Sequence, residues 1–423
     1  MSTLGLDFGT TFCSASWINP KTGFPEAVTF PNAVDGCKIP SIVYFPPKGE
    51  PIVGFAPYIQ IENASTQADR EMIHRYAVTG IKRKMQQKGS FQGHSHVEII
   101  SLIIKHVVDE AKKACNFASP VDTLVMTHPV IFSEWQKGML RQAAERAGFA
   151  PEKVSLLEEP VSAALAYIRS NKLDNIHGVM IYDFGGGTFD VAYVQIDHHG
   201  KLLMPLDPQG DPLCGGNDID LLLYDNWDNR ANQQIGRRIS ENPMEVDEAF
   251  LSRCRKQKEL LSLPKIQGQK FSEWLPPFPG HEFEKMEWNI QLPEYNKLIS
   301  PIIDRTMTKT QSVLGEILRK KLPLDIVLLI GGSSRIPQVR RRLSDLVGND
   351  SIIRTTGQVD TAVAIGASYH AMGESPSPKP SEPTPPSATK LKSCFCVYCG
   401  EKISTSNKFC MFCGKENVLY TKP

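Results

Sequence analysis

Along the first 373 residues, short apolar runs alternate with longer stretches in which apolar positions recur every three or four residues. The runs at 41–45, 124–127, 179–182 and 326–330 have strand length, and the stretches at 97–115 and 134–147 have helical period. Such alternation predicts an α/β fold of mostly parallel sheets covered by helices. The longest apolar run, 326–330, falls far short of the roughly 20 residues a membrane helix needs, so no membrane partner is expected. At 374–393 the pattern stops. Pro376, Pro378, Pro380, Pro383, Pro385 and Pro386 lie there among serines. Proline fixes φ and lacks a backbone donor, so this stretch reads as an extended, semi-stiff linker.

The patterned region contains an echo. Leu4-Gly5-Leu6-Asp7-Phe8-Gly9-Thr10-Thr11 resembles the run from Val179 through Asp183-Phe184-Gly185-Gly186-Gly187-Thr188. Each is an apolar strand ending in Asp-Phe-Gly, and each leads into a second apolar stretch, 13–18 and 189–196. A β-hairpin with a tight turn therefore occurs twice, and two similar lobes are expected. Glycines let such a turn approach a ligand closely. Its successive N–H groups can cradle an anion. Thr10, Thr11 and Thr188 add hydroxyl donors, and Asp7 and Asp183 at the strand ends suit a hydrated magnesium ion. Either turn alone would be an ordinary hairpin; two related copies point to phosphate chemistry.

A third element, Leu328-Leu329-Ile330-Gly331-Gly332-Ser333-Ser334-Arg335-Ile336-Pro337, runs from a strand through a Gly-Gly turn to a helix expected near Pro337. Ser333 or Ser334 is a candidate cap for that helix. The Gly-Gly pair offers flat backbone for an adenine and ribose.

These motifs, in this order, resemble the actin-like ATPase superfamily, and within it the seventy-kilodalton heat-shock (DnaK-type) chaperone family, over about residues 3–373. Further matches are Pro40-Ser41-Ile42-Val43-Tyr44-Phe45, Ile81-Lys82-Arg83, Glu158-Glu159-Pro160, Gly215-Gly216, Asp304-Arg305-Thr306 and the run from Asp360 through Gly366. The resemblance implies duplicated ribonuclease-H-like lobes around a nucleotide cleft, with lobe I at about 1–175 and lobe II at about 176–373. It implies ATP hydrolysis with magnesium, held through its waters by Asp7 and Asp183. Lys82, Glu159, Asp183 and Thr188 would be catalytic: Lys82 aimed at the γ-phosphate, Glu159 and Asp183 orienting the attacking water. Gly9, Thr10, Thr11, Gly185, Gly186, Gly187, Gly215 and Gly216 would line the phosphates. Asp190 would help hold a potassium ion. Lys258, Ser262, Gly331, Gly332, Ser333, Arg335 and Ile336 would surround adenosine, with Asp360 on the ribose side. J-domain-type co-chaperones, exchange factors or another protein partner are implied, acting on a cytoplasmic monomer.

Three positions depart from the family pattern. Arg255 stands where the family usually has Glu, Glu259 where it often has Arg, and Lys137 where an arginine couples the lobes through Pro129. The family's peptide-binding sandwich has no counterpart after residue 373, so client binding of the usual kind is not expected. Competing functions are a non-catalytic nucleotide-dependent scaffold or sensor, and a small-molecule kinase on the same fold.

Composition adds the tail. The chain has 423 residues, 47 Lys+Arg against 46 Asp+Glu, and ten cysteines. The N-terminus lacks a basic region and an apolar signal core, so a reducing compartment is expected and disulfides are not. Residues 390–423 carry six Lys and two Glu, a net charge of +4. Within the tail, Cys396-x-x-Cys399-Gly and Cys410-x-x-Cys413-Gly form two knuckles, the spacing of a structural four-thiolate zinc ribbon over 394–423. A basic ribbon could touch nucleic acid, but without arginine a protein-contact role is the plainer reading. Cys13, Cys37, Cys115, Cys214 and Cys254 read as buried small hydrophobes, the pairs His94/His96 and His198/His199 as loop residues, and Arg340-Arg341-Arg342 as a solvated face.

Overall fold

A computed structural model describes residues 2–115, 120–171, 173, 175–240, 242, 245–278, 280–281, 284–356 and 359–373, with the backbone of 393–395 and 402–404. The chain divides into two compact units, 1–373 and 374–423. In the second, Ser393–Phe395 and Lys402–Ser404 pair as an antiparallel hairpin.

The first unit is built on two sheets with the same strand order. In one, β1 (Ser2–Asp7) and β2 (Phe12–Ile18) form a hairpin continued by β3 (Pro25–Ala27). On the other side of β1 lie β4 (Val121–His128) and then β5 (Val154–Glu158), both parallel. In the second sheet β6 (Gly178–Phe184) and β7 (Phe189–Ile196) form the hairpin, continued by β8 (Leu202–Leu203). On the far side of β6, β9 (Ile326–Ile330) and β10 (Ile353–Thr355) run parallel. The sheets are therefore mixed rather than mostly parallel. The echo in the sequence forces this, because each Asp-Phe-Gly turn joins adjacent antiparallel strands.

The helices are α1 (Phe55–Asn63), α2 (Gln67–Tyr76), α3 (Ile81–Lys84), α4 (His96–Cys115), α5 (Glu134–Arg146), α6 (Glu159–Asn171), α7 (Gly216–Ile235), α8 (Glu248–Leu261), α9 (Leu292–Arg319), α10 (Pro337–Val347) and α11 (Ala362–Ala371). They cover both faces of each sheet. On β6, Met180, Tyr182 and Phe184 join one core and Val179 and Ile181 another, which explains its unbroken apolar run. Between the sheets α6 crosses α11. Ala163, Ala164 and Val363 pack with Val179 and Ile181 of the second sheet, while Ala367 packs with Val125 and Leu157 of the first. The crossing is so close that a Cβ at Gly366 would overlap the Ser162 carbonyl.

Several local expectations change. No serine caps α10; its N-cap is Ile336 with no side-chain bond, and Pro337 opens the helix. Ser333 Oγ instead donates to the Gly185 carbonyl (2.8 Å) and Ser334 Oγ to that of Gly331 (2.7 Å). Cys13, Cys214 and Cys254 are buried, but Cys37 and Cys115 are only partly so. His96 is buried at the start of α4 and is no loop residue, because its ring packs against Gly89.

Candidate functional site

The ends of β1 and β6 bring the two echoed turns together. Asp183 pairs with Asp190 across the second hairpin, and the Gly185 N–H closes its turn on the Thr188 carbonyl (3.1 Å). The turns interlock at distances only glycine tolerates: a Cβ at Gly186 would overlap the Thr11 hydroxyl, and one at Gly187 the Thr10 side chain. The Gly215-Gly216 turn docks on the same loop. Gly216 N–H donates to the Gly185 carbonyl (3.0 Å) and Asn217 N–H to that of Gly186 (2.7 Å). Asp218, in the first turn of α7, accepts from the Gly215 N–H (2.7 Å). Gly331, at φ 77, passes so near Phe184 that a side chain there would strike its carbonyl. Ser41 Oγ donates to the Gly9 carbonyl (2.8 Å) and holds the first turn.

Behind these turns lies a buried charge cluster. Gly80, in the left-handed region, starts the short α3, in which Lys82 is buried and Arg83 turns to Asp218 (3.0 Å). The Lys82 ammonium meets the Glu159 carboxylate at 2.6 Å, both side chains buried. Lys82 is therefore not the solvated lysine its basic run would suggest. Burial alone would lower its pKa, but Glu159 and Asp7 outweigh this and the net shift is upward. Asp7, whose Oδ1 accepts from Thr127 Oγ1 (3.3 Å), is pushed up to about 7 by burial and then by Glu159. Asp183 and Asp190 lie well above the usual carboxylate range, through burial first and Glu159 next. Neither carboxylate oxygen of Asp190, both buried, has a hydrogen-bond partner among the described residues.

Four carboxylates around one ammonium leave an excess of negative charge in a desolvated pocket. The donor set thus fits cations, and a phosphate only when it arrives with one. Among the described residues no group of three or more His, Cys, Asp and Glu is gathered as a metal cage.

The adenosine candidates lie further out. Lys258 sits on the buried stripe of α8 and donates to the Gly216 carbonyl (3.0 Å) while pairing with Asp220 (2.7 Å). Arg255 also turns to Asp220 (3.5 Å), and Glu259 is exposed. Ser262 Oγ donates to the Lys258 carbonyl (2.7 Å). Arg335, half exposed, pairs with Asp360 (2.7 Å), and Gly332 lies beside that carboxylate. Ile336 packs its apolar side chain in the core. Lys137 pairs with Glu134 (3.0 Å) on its own helix. Cys396, Cys399, Cys410 and Cys413 lie outside the described residues.

Some contacts had no announcement in the sequence. Arg70 of α2 pairs with Asp247, which caps α8, and Glu62 of α1 meets Ser252 and Lys256 of α8. These residues read as ordinary surface charges, and only the fold brings them together.

The sequence matches the family described as "Hsp70 protein" over residues 3–379. It is 26% identical over 381 residues to the chaperone protein DnaK of Thermosipho africanus, covering 87% of this chain and 58% of that protein. Identity to DnaK of Thermotoga maritima is 27% over 377 residues, with 87% and 59% covered. A heat shock protein homolog of Encephalitozoon cuniculi is 27% identical over 444 residues, with 87% and 63% covered. The chain thus spans about three fifths of the length of these relatives. No described helix is long and apolar enough to cross a membrane.

Proposed function

The chain belongs to the Hsp70 family, and from that premise we propose that it is a chaperone-like ATPase whose nucleotide state controls a protein partner. The observation that carries this reading is the buried Lys82–Glu159 pair set among Asp7, Asp183 and Asp190. Phosphoryl transfer asks little covalent chemistry of a protein; positioning and charge stabilisation do most of it. Asp7 and Asp183 would hold magnesium through its waters, and that ion supplies neutralisation of phosphate charge. Thr10, Thr11, Thr188 and the amides of Gly9, Gly185, Gly186, Gly187, Gly215 and Gly216 would orient the phosphates. Lys82 would place its ammonium toward the γ-phosphate, and Glu159 and Asp183 would orient the attacking water and take its proton. Asp190, with no hydrogen-bond partner for either oxygen among the described residues, is the candidate for potassium. Lys258, Ser262, Gly331, Gly332, Ser333, Arg335 and Ile336 would border adenosine, with Asp360 toward the ribose.

The domain reading that goes with this has a two-lobed ATPase at 1–373, a Pro/Ser linker at 374–393 and a zinc ribbon at 394–423. The ribbon rests on the spacing of Cys396, Cys399, Cys410 and Cys413. Elemental analysis after chelator-free purification should find one zinc per chain, lost in Cys396→Ser; less than half an equivalent would count against the ribbon. The partner class is a protein, J-domain-type co-chaperone or exchange factor among the candidates, in the cytoplasm.

Single-turnover hydrolysis of Mg-ATP decides the main claim. Phosphate release should be lost in Lys82→Ala and Asp183→Asn. Tight binding with no release above those variants would favour the second reading, a nucleotide-dependent scaffold. That reading draws on Asp220, which engages both Lys258 and Arg255 and leaves the adenosine side altered. Transfer of the γ-phosphate to an added metabolite would instead mark a kinase.

A further inference from the structure

A buried histidine adjoins the charge cluster. His128 is the last residue of β4, in register with Glu158 of β5, one position before Glu159. Only 2% of it is exposed. Its Nδ1 lies 2.8 Å from the Pro129 carbonyl oxygen. A carbonyl can only accept, so Nδ1 carries the proton. The same oxygen also accepts from the Phe132 N–H (3.2 Å). One carbonyl thus closes a turn from Pro129 to Phe132 with two donors, one of them the imidazole. The ring further stacks on Phe132 at an interplanar angle of 14°, with centroids 6.3 Å apart. Phe132 in turn presents its ring to the Lys82 ammonium, 5.9 Å from the centroid. A continuous path therefore runs from His128 through the Pro129 turn and Phe132 to Lys82 and Glu159. Below this turn Ser133 and Gln136 close the capping box of α5, so its far end is fixed independently.

We propose that His128 is a positioning residue for the Lys82–Glu159 pair, its Nδ1–H fixing the Pro129 carbonyl so that Phe132 forms the wall against which the ammonium is seated. The consequence for hydrolysis rests on the ATPase reading; the consequence for the imidazole does not. Small displacements of a reacting group cost a great deal in rate, so losing the donor should lower kcat rather than nucleotide affinity.

Two measurements test this. In full-length chain labelled with ¹⁵N at histidine, the imidazole signal that vanishes in His128→Asn should be in the Nδ1–H tautomer, whereas that of His281, whose Nδ1 faces Glu284 (3.0 Å), should remain. Finding His128 in the Nε2–H form overturns the proposal whether or not the protein hydrolyses ATP. The second compares His128→Leu, His128→Asn and His128→Gln in Mg-ATP turnover, for variants whose thermal melting shows them folded. Asparagine places an N–H donor where Nδ1 stands; glutamine and leucine do not. The Leu and Gln variants should lose about tenfold in kcat with KM unchanged, and the Asn variant should stay within about threefold of wild type. Equal activity in all three, or equal loss in Asn and Leu, overturns the positioning role. A wild type that binds Mg-ATP without hydrolysing it removes the ATPase reading instead, and the tautomer then decides the inference.

Discussion

The Lys82 ammonium and the Glu159 carboxylate meet at 2.6 Å with both side chains buried, although 77 residues separate them. One residue comes from the short α3 and the other from the first position of α6. Neither could be buried alone, since an unpaired charge in a desolvated site is costly.

Removing one partner should therefore be worse than removing both. Lys82→Ala should destabilise the nucleotide-free protein by about 3–5 kcal/mol, because it strands Glu159 among Asp7 and Asp183. Lys82→Met combined with Glu159→Gln should recover most of that loss, as an uncharged pair of similar volume no longer needs compensation. Urea denaturation of the single and double variants measures both terms. A double variant no more stable than Lys82→Ala would mean that the pair is not the source of the cost.

The neighbouring carboxylates predict an unusual pH dependence. Asp7 has an ordinary value of 3.8 and is raised to about 7; Asp183 and Asp190 are raised as well. The folded state then holds protons that the unfolded chain releases, so stability falls as pH rises from 3.8 through these folded values. Buried His96 and His128, and partly buried His106, lie below the usual histidine value of 6.5, chiefly through desolvation, and push the opposite way up to that pH. Between pH 6.5 and 8 the carboxylates act alone. The urea midpoint of protein free of metal and nucleotide should drop across that window, and less steeply in Asp183→Asn. A midpoint that is flat or rises would contradict the charge excess, and with it the need for a cation.

How much of this was legible in the chain depended on distance. The hairpins at β1/β2 and β6/β7 could be read because Asp-Phe-Gly and the flanking apolar runs are local signals. The strand at Ile326–Ile330 and the start of α10 at Pro337 could be read for the same reason. The mixed sheet followed less readily, since the parallel partners of β1 and β6 are distant in sequence. Ser333 illustrates the limit: next to a helix start it suggests a cap, but its hydroxyl donates to the Gly185 carbonyl, 148 residues away in sequence. For Lys82 and Glu159 the motifs pointed to chemistry, while burial and pairing came only from the fold. His128 carried no signal at all, because an isolated histidine at a strand end is usually unremarkable.

The α6/α11 crossing should be intolerant of any side chain at Gly366. An added Cβ meets the Ser162 carbonyl and hydroxyl, and backbone cannot rotate away as a long side chain can. Ser162 Oγ also donates to the Val363 carbonyl (2.6 Å), which pins the two helices at that point. Gly366→Ala should cost about 2–3 kcal/mol despite the better helix propensity of alanine. Gly315→Ala, on α9 with open space around its Cα, should be neutral or slightly stabilising. Melting temperatures of the two variants make the comparison, and equal values would argue against a close crossing.

Arg70 should matter more than its place on an otherwise polar helix suggests. One guanidinium nitrogen pairs with Asp247 and another donates to the Ala64 carbonyl at the end of α1 (3.1 Å). Asp247 is already committed to the Phe250 N–H (2.7 Å) as the cap of α8, so it stays buried when Arg70 is removed. Both side chains are about nine-tenths buried, which takes the pair out of the class of weak surface bridges. Arg70→Ala should therefore cost about 2–4 kcal/mol, leaving one buried carboxylate half-compensated and one carbonyl without its donor. Arg70→Lys keeps the charge but cannot reach two acceptors with a planar fork, and should fall between. Because α8 also carries Lys258, Arg70→Ala should in addition weaken binding of a fluorescent ATP analogue, whereas Lys113→Ala, whose partner Glu110 is on its own exposed helix face, should change neither stability nor binding. Stability lost equally in both variants would place Arg70 among ordinary surface charges.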